Sequence, residues 1–208
     1  MNSKDICGLI LAGGNARRMG GGAKGAFDLA GQNLIDHVTQ RIQPQVSHTL
    51  IMSNEPEPEY IQTGLPIVAD EIKQAGPLAG ISAGMNYIHK LHPDCQRMIV
   101  VTVDCPFVPL DLVQVLNGPL SAGDADIAYV GVMGRAHPLI SLWSMNIRND
   151  LNEDVRSGKA RKVFSWIKRH HSISVEWQAL PIDPFFNINR PDDLMIAEHL
   201  VRLVRSMR

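Results

Sequence analysis

A glycine-rich segment near the start of the chain carries three cationic side chains in a pattern suited to binding phosphate. Residues 15–25 hold Arg17, Arg18 and Lys24 among glycines, shortly after the apolar run at 6–11. Glycines let backbone N–H groups approach an anion closely, and the cations neutralise its charge. In open α/β sheets, ligands bind at the carboxyl ends of strands. The segment therefore predicts a polyphosphate-binding loop.

Two familiar phosphate-binding patterns do not account for this loop. Residues 20–25 match G-x-G-x-x-G literally, but a dinucleotide fingerprint follows its strand at once and opens a helix. Here residues 26–31 predict a short strand and a turn. A P-loop requires Ser or Thr directly after its lysine, whereas Gly25 follows Lys24. The alternative is a flexible surface loop without a ligand, which the three cations make the weaker interpretation.

Asp104 follows the strongest strand signal in the sequence. Residues 98–103 form an almost continuous apolar and β-branched run, which is typical of a parallel strand covered on both faces. Asp104 would then stand at the carboxyl edge of the sheet, facing the glycine-rich segment. A hard carboxylate there can hold Mg²⁺ against phosphate oxygens. The alternative is a helix cap, a common role for Asp at such a position.

Further polar residues follow other predicted strands. Asn54 and Asp70 would line the same edge, although by themselves they are ordinary turn residues. Asn187 and Asn189 alternate about Ile188, so both side chains would project to one side of an extended segment.

Strands alternate with helices along the chain. Helical patterns cover residues 34–42, 78–91, 147–156, 161–170 and 191–204, and another helix starts over 111–116. Strand patterns cover residues 6–11, 49–53, 65–69, 98–103, 126–130, 139–143 and 172–177. This order predicts an α/β fold, a three-layer α/β/α Rossmann-like domain with a mostly parallel mixed sheet.

The composition excludes several classes of protein. The chain has 208 residues, 45% apolar and 20% charged, which is typical of a folded globular protein, and it has no apolar run long enough to span a bilayer. Lys and Arg total 20 against 21 Asp and Glu, which argues against a protein that coats nucleic acid or membrane. The three cysteines form no CxxC pair, so we expect no disulfide framework and no zinc knuckle, and a reducing cytoplasm.

A set of short motifs resembles that of a known family. The motifs are LAGGNARRMGG at 11–21, KG at 24–25, GPLAG at 76–80, DCPFVP at 104–109, HPL at 137–139, GKARKV at 158–163 and NINRPDDL at 187–194. The first of these is similar to the signature loop of nucleotidyltransferases with a glycosyltransferase-A-like fold, and the whole set resembles the molybdenum cofactor guanylyltransferases. The resemblance implies one nucleotidyltransferase domain over 1–208, with a nucleotide-binding N-terminal half and a molybdopterin-side C-terminal half.

The resemblance also implies roles for individual residues. Catalysis falls to Arg18, Lys24 and Asp104, and Asp104 is also the metal ligand. GTP would be bound by Leu11, Ala12, Gly13, Gly14, Lys24, Asn54, Asp70, Gly80 and Asp104, and molybdopterin would lie toward His137, Asn187 and Asn189.

The activity implied by the resemblance is transfer of GMP from GTP to molybdopterin, with release of pyrophosphate and Mg²⁺ as the cofactor. The incoming phosphate oxygen is already a nucleophile, so in-line positioning and charge neutralisation suffice. The implied partners are GTP, the molybdopterin cofactor, and proteins of molybdenum insertion and molybdoenzyme maturation, with no nucleic acid and no membrane. We expect a cytoplasmic monomer.

One position departs from the family's pattern. Ala23 stands where the family usually has Asp before the lysine, which removes a carboxylate from the phosphate loop. Two alternatives stay open: a related nucleotidyltransferase that uses CTP or acts on a sugar or alditol phosphate, and a nucleotide-binding accessory protein without turnover. The unaltered LAGG and GPLAG motifs argue against CTP, and Ala23 is the only support for the accessory protein.

Overall fold

A computed structural model describes residues 5–13, 22–70, 72, 76–179 and 182–206. The strands are β1 (Ile6–Leu11), β2 (Asp28–Leu29), β3 (Gln32–Asn33), β4 (His48–Met52), β5 (Ile67–Val68), β6 (Arg97–Thr102), β7 (Ile127–Val132), β8 (Arg135–Ser144) and β9 (Ser172–Trp177). The helices are α1 (Leu34–Ile42), α2 (Pro58–Gln62), α3 (Pro77–Leu91), α4 (Leu112–Ala122), α5 (Arg148–Arg156), α6 (Val163–Ile167) and α7 (Pro191–Ser206).

The central sheet is mostly parallel, as the sequence predicts. Within the described residues it has seven strands in the order β5-β4-β1-β6-β8-β7-β9, and β2 and β3 form a separate hairpin. β1 lies between β4 and β6, parallel to both, and β4 pairs in parallel with β5. β8 runs antiparallel to β6 and β7, and β9 is parallel to β7. The carboxyl ends of β1, β4 and β6 therefore meet at one edge.

Helices cover both faces of the sheet, which confirms the three-layer α/β/α prediction. Side chains of β1 alternate between the faces: Ile6 and Ile10 belong to one core, and Cys7, Leu9 and Leu11 to the other. Buried residues of α1, α4 and α7 pack in the first core, and those of α3, α5 and α6 pack in the second. Because β1 and β6 are buried on both faces, their ends are held firmly in place.

Some elements differ from the sequence prediction. α4 continues through Gly118 and Pro119 to Ala122, and β8 extends over ten residues. The helix expected over 161–170 is shorter and ends at Ile167, because the N–H groups of Arg169 and His170 bond to carbonyls three residues back and not four. α2 follows no pattern recognised in the sequence, since it has only five residues.

The expectation about the cysteines is wrong for one pair. Cys7, near the start of β1, is bonded to Cys95, in the turn before β6, while Cys105 is free and buried. The pairing of β1 with β6 brings together two cysteines that lie 88 residues apart, a proximity that spacing alone does not reveal. The cysteines thus no longer argue for a reducing compartment. Among the described residues, the helices are too short or too polar to cross a membrane.

Candidate functional site: a cavity at the carboxyl edge of the sheet

A cavity of about 550 Å³ opens at the edge where β1, β4 and β6 end. Its walls come from the ends of these strands, the turn at Lys24 and the first turn of α3. The lining residues are Leu11, Gly13, Lys24, Met52, Asn54, Asp70, Gly76, Pro77, Gly80, Thr102, Val103, Asp104 and Leu139. This is the position where open α/β sheets bind ligands.

A chain of hydrogen-bonded polar side chains begins at one wall of the cavity and continues outside its lining. Lys24 Nζ donates to Asp104 Oδ2 at 2.7 Å and to Asn189 Oδ1 at 2.5 Å. Asn189 Nδ2 donates in turn to Asn187 Oδ1 at 2.6 Å. The side chains of Lys24 and Asp104 are only 18% and 13% exposed. The structure therefore brings together four residues that are separated by as many as 165 positions in the sequence.

The backbone fixes both ends of this chain. Val103 and Asp104 come directly after β6. The N–H of Val103 donates to the carbonyl of Leu11, which holds this segment against the end of β1. The segment that carries the two asparagines is attached to the same place, because the N–H of Ile188 donates to the carbonyl of Asp104 at 2.9 Å. Lys24 opens a short 3₁₀ turn, Lys24–Ala26. The cation and the carboxylate are thus presented by separate, well-anchored backbones.

A second polar pair lies at the ends of β4 and β5. The backbone N–H of Asp70 donates to Asn54 Oδ1 at 2.8 Å, and Asn54 Nδ2 lies 3.4 Å from Asp70 Oδ2. Asp70 Oδ1 is buried and has no hydrogen-bond partner. Burial raises the pKa of the Asp70 carboxyl, and the Asn54 amide opposes this rise. A buried acceptor without a donor is costly, so the ligand-free protein keeps an unmet acceptor at the cavity wall.

The first turn of α3 closes in on this pair. A Cβ at Gly80 would lie 2.9 Å from Met52 Cγ and 3.2 Å from Asp70 Oδ1, so the helix can approach only because residue 80 is glycine. Gly76 precedes the helix with a φ of 75°, a conformation that favours glycine. The N-terminus of α3, a helix of 15 residues, therefore faces the cavity.

His137 lies beyond the polar chain. The pairing of β7 with β8 shifts register between Tyr129 and Val130, and the bulge that results in β8 carries Leu139 into the cavity wall. The ring of His137 packs 5.8 Å from that of Phe185, whose carbonyl lies 3.8 Å from Cys105 Sγ beside Asp104. Burial lowers the pKa of His137, and the Asp183 carboxylate partly opposes this.

The structure brings some of the predicted site residues together at the cavity and places others outside it. Leu11, Gly13, Lys24, Asn54, Asp70, Gly80 and Asp104 line the cavity, whereas His137, Asn187 and Asn189 lie outside its lining. Ala12 is tied to β4 by a hydrogen bond from its N–H to the carbonyl of Met52. Gly14 and Arg18 lie outside the described residues. Six lining residues were not among the predicted site residues, namely Met52, Gly76, Pro77, Thr102, Val103 and Leu139. Met52 and Thr102 end their strands, and that position could have identified them.

The chain matches the model of the MobA-like NTP transferase domain over residues 8–173. It is 42% identical to a molybdenum cofactor guanylyltransferase of Bradyrhizobium sp. (strain ORS 278), over 95% of this chain and 94% of that protein. It is 39% identical to the protein of the same name from Rhodopseudomonas palustris (strain BisB5), over 92% of each. The chain belongs to the molybdenum cofactor guanylyltransferase family. The resemblance recognised in the sequence is therefore confirmed.

A solved structure supports the fold of this guanylyltransferase family member. The molybdopterin-guanine dinucleotide biosynthesis protein A of Archaeoglobus fulgidus matches with a TM-score of 0.74 and 23% identity, over 95% of this chain and 99% of that one. At this identity the match concerns the fold alone. The α/β fold with its mostly parallel mixed sheet is thus shared with that structure.

The described side chains of the site offer a divalent cation one carboxylate, so its other ligands would come from elsewhere. In the part of the chain that the structure describes, no group of three or more His, Cys, Asp or Glu side chains could form a metal cage. Asp104 offers one carboxylate at the cavity wall, with Oδ2 bound to Lys24. One carboxylate combined with substrate phosphate oxygens is the coordination that Mg²⁺ accepts in phosphate-transfer sites. The donor set therefore fits Mg²⁺ carried by a nucleotide.

Proposed function

We propose that this protein transfers GMP from GTP to molybdopterin, forming molybdopterin guanine dinucleotide and pyrophosphate. Its family and its cavity support this activity. A phosphate oxygen of molybdopterin attacks the α-phosphorus of GTP, and the bond from that phosphorus to the α–β bridging oxygen breaks. Pyrophosphate leaves, and a new phosphoanhydride bond joins GMP to molybdopterin. The chain supplies no covalent intermediate, because positioning and charge neutralisation are enough.

The single observation that carries the choice of base is the unpartnered, buried Oδ1 of Asp70 in the cavity wall. Guanine presents two adjacent donors, N1–H and the N2 amine, whereas neutral cytosine and adenine pair their amine with a ring-nitrogen acceptor. A carboxylate can accept both guanine donors. Asn54 orients that carboxylate, and the main chain at Leu11 and Gly13 lines the other side of the base pocket.

The phosphates of GTP would lie against the Lys24–Asp104 pair at the cavity wall. Lys24 neutralises the charge that builds up on the leaving pyrophosphate, and Arg18 assists from the glycine-rich segment. A Cβ at Gly13 would meet nothing within 4 Å, which leaves the main chain open to an approaching phosphate.

Nucleotidyltransferases of this kind generally use a divalent metal, which we propose is Mg²⁺ held by Asp104. When bound, the cation would be held by the Asp104 carboxylate and would neutralise phosphate charge. Asp104 already pairs with Lys24, so this wall presents both a cation and an anion to the triphosphate. Asn187, Asn189 and His137 lie on the side of Asp104 where the molybdopterin would enter.

The test is a comparison of nucleotides with purified protein, Mg²⁺ and molybdopterin, followed by pyrophosphate release. We expect kcat/KM for GTP to exceed that for CTP and ATP by at least about tenfold, or about 1.4 kcal/mol. Equal use of the three nucleotides would contradict the guanine assignment. Absence of turnover with all of them, despite binding of GTP, would indicate an accessory protein instead.

A matched pair of variants examines the base contact. Asp70→Asn should reduce the preference for GTP, since it replaces one acceptor with a donor. It should also raise the melting temperature of the ligand-free protein slightly, because burial raises the Asp70 pKa and so penalises the ionised carboxylate at neutral pH. Asp94→Asn, at an exposed carboxylate before β6, should change neither quantity.

A further inference from the structure

A buried tyrosine joins the two ends of the glycine-rich segment. Tyr60 lies in α2 and is 0% exposed. Its hydroxyl donates to the carbonyl oxygen of Ala12 at 3.3 Å and accepts from the backbone N–H of Gly25 at 3.2 Å. Ala12 precedes the segment and Gly25 ends it, so a single hydroxyl bridges the chain that enters the loop and the chain that leaves it.

The contact with Gly25 requires glycine. A Cβ at this position would lie 2.4 Å from Tyr60 Cε1 and 2.8 Å from the Tyr60 hydroxyl oxygen. The backbone next to Lys24 therefore rests directly against the edge of the tyrosine ring. Any side chain at residue 25 would push the turn Lys24–Ala26 away from Tyr60, and Lys24 would move with it.

The hydroxyl can serve both partners because it stays protonated. Burial raises the pKa of Tyr60 to about 12, although the hydrogen bond from Gly25 opposes this rise. A protonated oxygen donates to the Ala12 carbonyl and accepts from the Gly25 N–H at the same time. A phenolate would lose the first bond and repel the carbonyl.

The connection from β4 to β5, which contains α2, links both parts of the proposed GTP site. The chain leaves β4 at Asn54, passes through α2 with Tyr60, and returns along β5 to Asp70. Asn54 and Asp70 line the base side of the cavity, and Tyr60 holds the residue next to Lys24 on the phosphate side. The spacing between the two sides therefore depends on how α2 is seated.

We propose that Tyr60 is a positioning residue for GMP transfer, which it promotes by fixing Lys24 relative to the main chain at Ala12 and Gly13. Tyr60 acts through these groups, and it is not among the residues that line the cavity. A displacement of a catalytic group by about 1 Å can cost about a hundredfold in rate, so the hydroxyl should matter for turnover beyond its effect on folding. This inference rests on the proposed function.

Tyr60→Phe is the principal test, because it keeps the ring and removes the hydroxyl. We expect kcat to fall by about tenfold or more, while KM for GTP changes by less than about threefold. The affinity for GTP relative to guanosine, measured by calorimetry, should fall by a similarly small factor, within about threefold, since Lys24 addresses phosphates only. Tyr129→Phe is the matched control: Tyr129 is a buried tyrosine on β7 in the opposite core, and its change should leave these quantities as in the wild type.

Gly25→Ala tests the same contact from the other side without altering α2. It should reproduce the loss of kcat, whereas Gly118→Ala in α4, where a Cβ meets nothing within 4 Å, should not. A folded Tyr60→Phe protein with unchanged kcat and an unchanged preference for GTP over guanosine would overturn the proposal. Unfolding of both Tyr60→Phe and Gly25→Ala at the assay temperature would overturn it in favour of a structural role. Failure of the wild type to use GTP would instead contradict the proposed function.

Discussion

The two ends of the β1–β6 strand pair are built differently. The strands are paired from Ile6 and Arg97 at their amino ends to Leu11 and Thr102 at their carboxyl ends. Beyond the carboxyl ends lie the cavity and the Lys24–Asp104 pair. At the amino ends, the Cys7–Cys95 bond joins the start of β1 to the turn before β6.

The difference lies in whether polar groups are already satisfied. At the amino end, Arg97 donates to Asn117, to Ser121 at 3.1 Å and to the carbonyl of Leu120 at 3.3 Å, which fastens the last turn of α4. At the carboxyl end, the buried Asp70 Oδ1 has no partner. Hydrogen bonds of this kind stabilise the fold, whereas an unpartnered carboxylate oxygen in a cavity wall leaves an acceptor for a ligand. Changes at the carboxyl end should therefore alter activity, and changes at the amino end should alter stability.

The largest effect on activity is expected from Asp104→Asn. The variant keeps the size of the side chain and an oxygen that can accept from Lys24, but it loses the charge needed to hold a hard divalent cation. Electrostatic contributions of this kind are commonly worth about 10²–10³ in rate. We expect at least about a hundredfold loss of pyrophosphate release, near-normal thermal stability, and only partial rescue by raised Mg²⁺.

Two outcomes would contradict the assignment of activity, and not stability, to the carboxyl end of the β1–β6 pair. If Asp104→Asn melts at a much lower temperature, Asp104 is a structural cap and the carboxyl end also carries stability. If the variant is folded and fully active, the metal binds elsewhere. The control is Asp94→Asn, measured in the same pyrophosphate assay and the same thermal melt.

Reduction of the Cys7–Cys95 bond should have the opposite effect to Asp104→Asn, lowering stability and leaving activity unchanged. The bond closes a long loop, with a sequence separation of 88, so it restricts the unfolded chain strongly. We expect reduction to lower the free energy of unfolding by about 2–4 kcal/mol, measured in urea, while kcat and KM for GTP at room temperature stay unchanged. Cys95→Ser should show the lower stability from the outset and no further response to reductant.

Two results of the reduction experiment would contradict this expectation. A wild-type protein whose urea midpoint does not respond to reductant would show that the two thiols are not joined in solution. A loss of turnover on reduction, with the protein still folded, would show that the two ends of the strand pair are coupled.

The sequence predicted the carboxyl end far better than the amino end. Continuous apolar patterns located β1 and β6, and the residues that follow such strands, Gly13 and Asp104, had to meet at one edge. The cysteine bond, by contrast, depends on a turn outside any regular pattern. Tyr60 was missed for a similar reason: a helix of five residues gives no periodic signal, and its hydrogen bonds reach residues 35 and 48 positions away.

The smallest predicted effect concerns pH at the amino end. The rings of His48 and His92 stack with centroids 3.7 Å apart, and burial and then the charge of His48 lower the pKa of His92. A lowered pKa means that the folded protein binds this proton less tightly than the unfolded chain. The stability that results is present above the unfolded value of about 6.5, and it is lost as the pH falls from there through the folded pKa.

His92→Gln should remove the contribution of His92 to the pH dependence of stability and leave the contributions of the other histidines. Because His92 is only partly buried, solvent screens its charge and the difference should be small. Urea unfolding at about pH 7.5 and about pH 5.5 should show a smaller loss of stability in His92→Gln than in the wild type. Some loss must remain in both proteins, since burial also lowers the pKa values of His137 and His170. Turnover of GTP at neutral pH should be the same in both proteins, because the stacked rings lie at the amino end, away from the cavity. A changed kcat in His92→Gln would contradict the separation of stability from catalysis along β1 and β6.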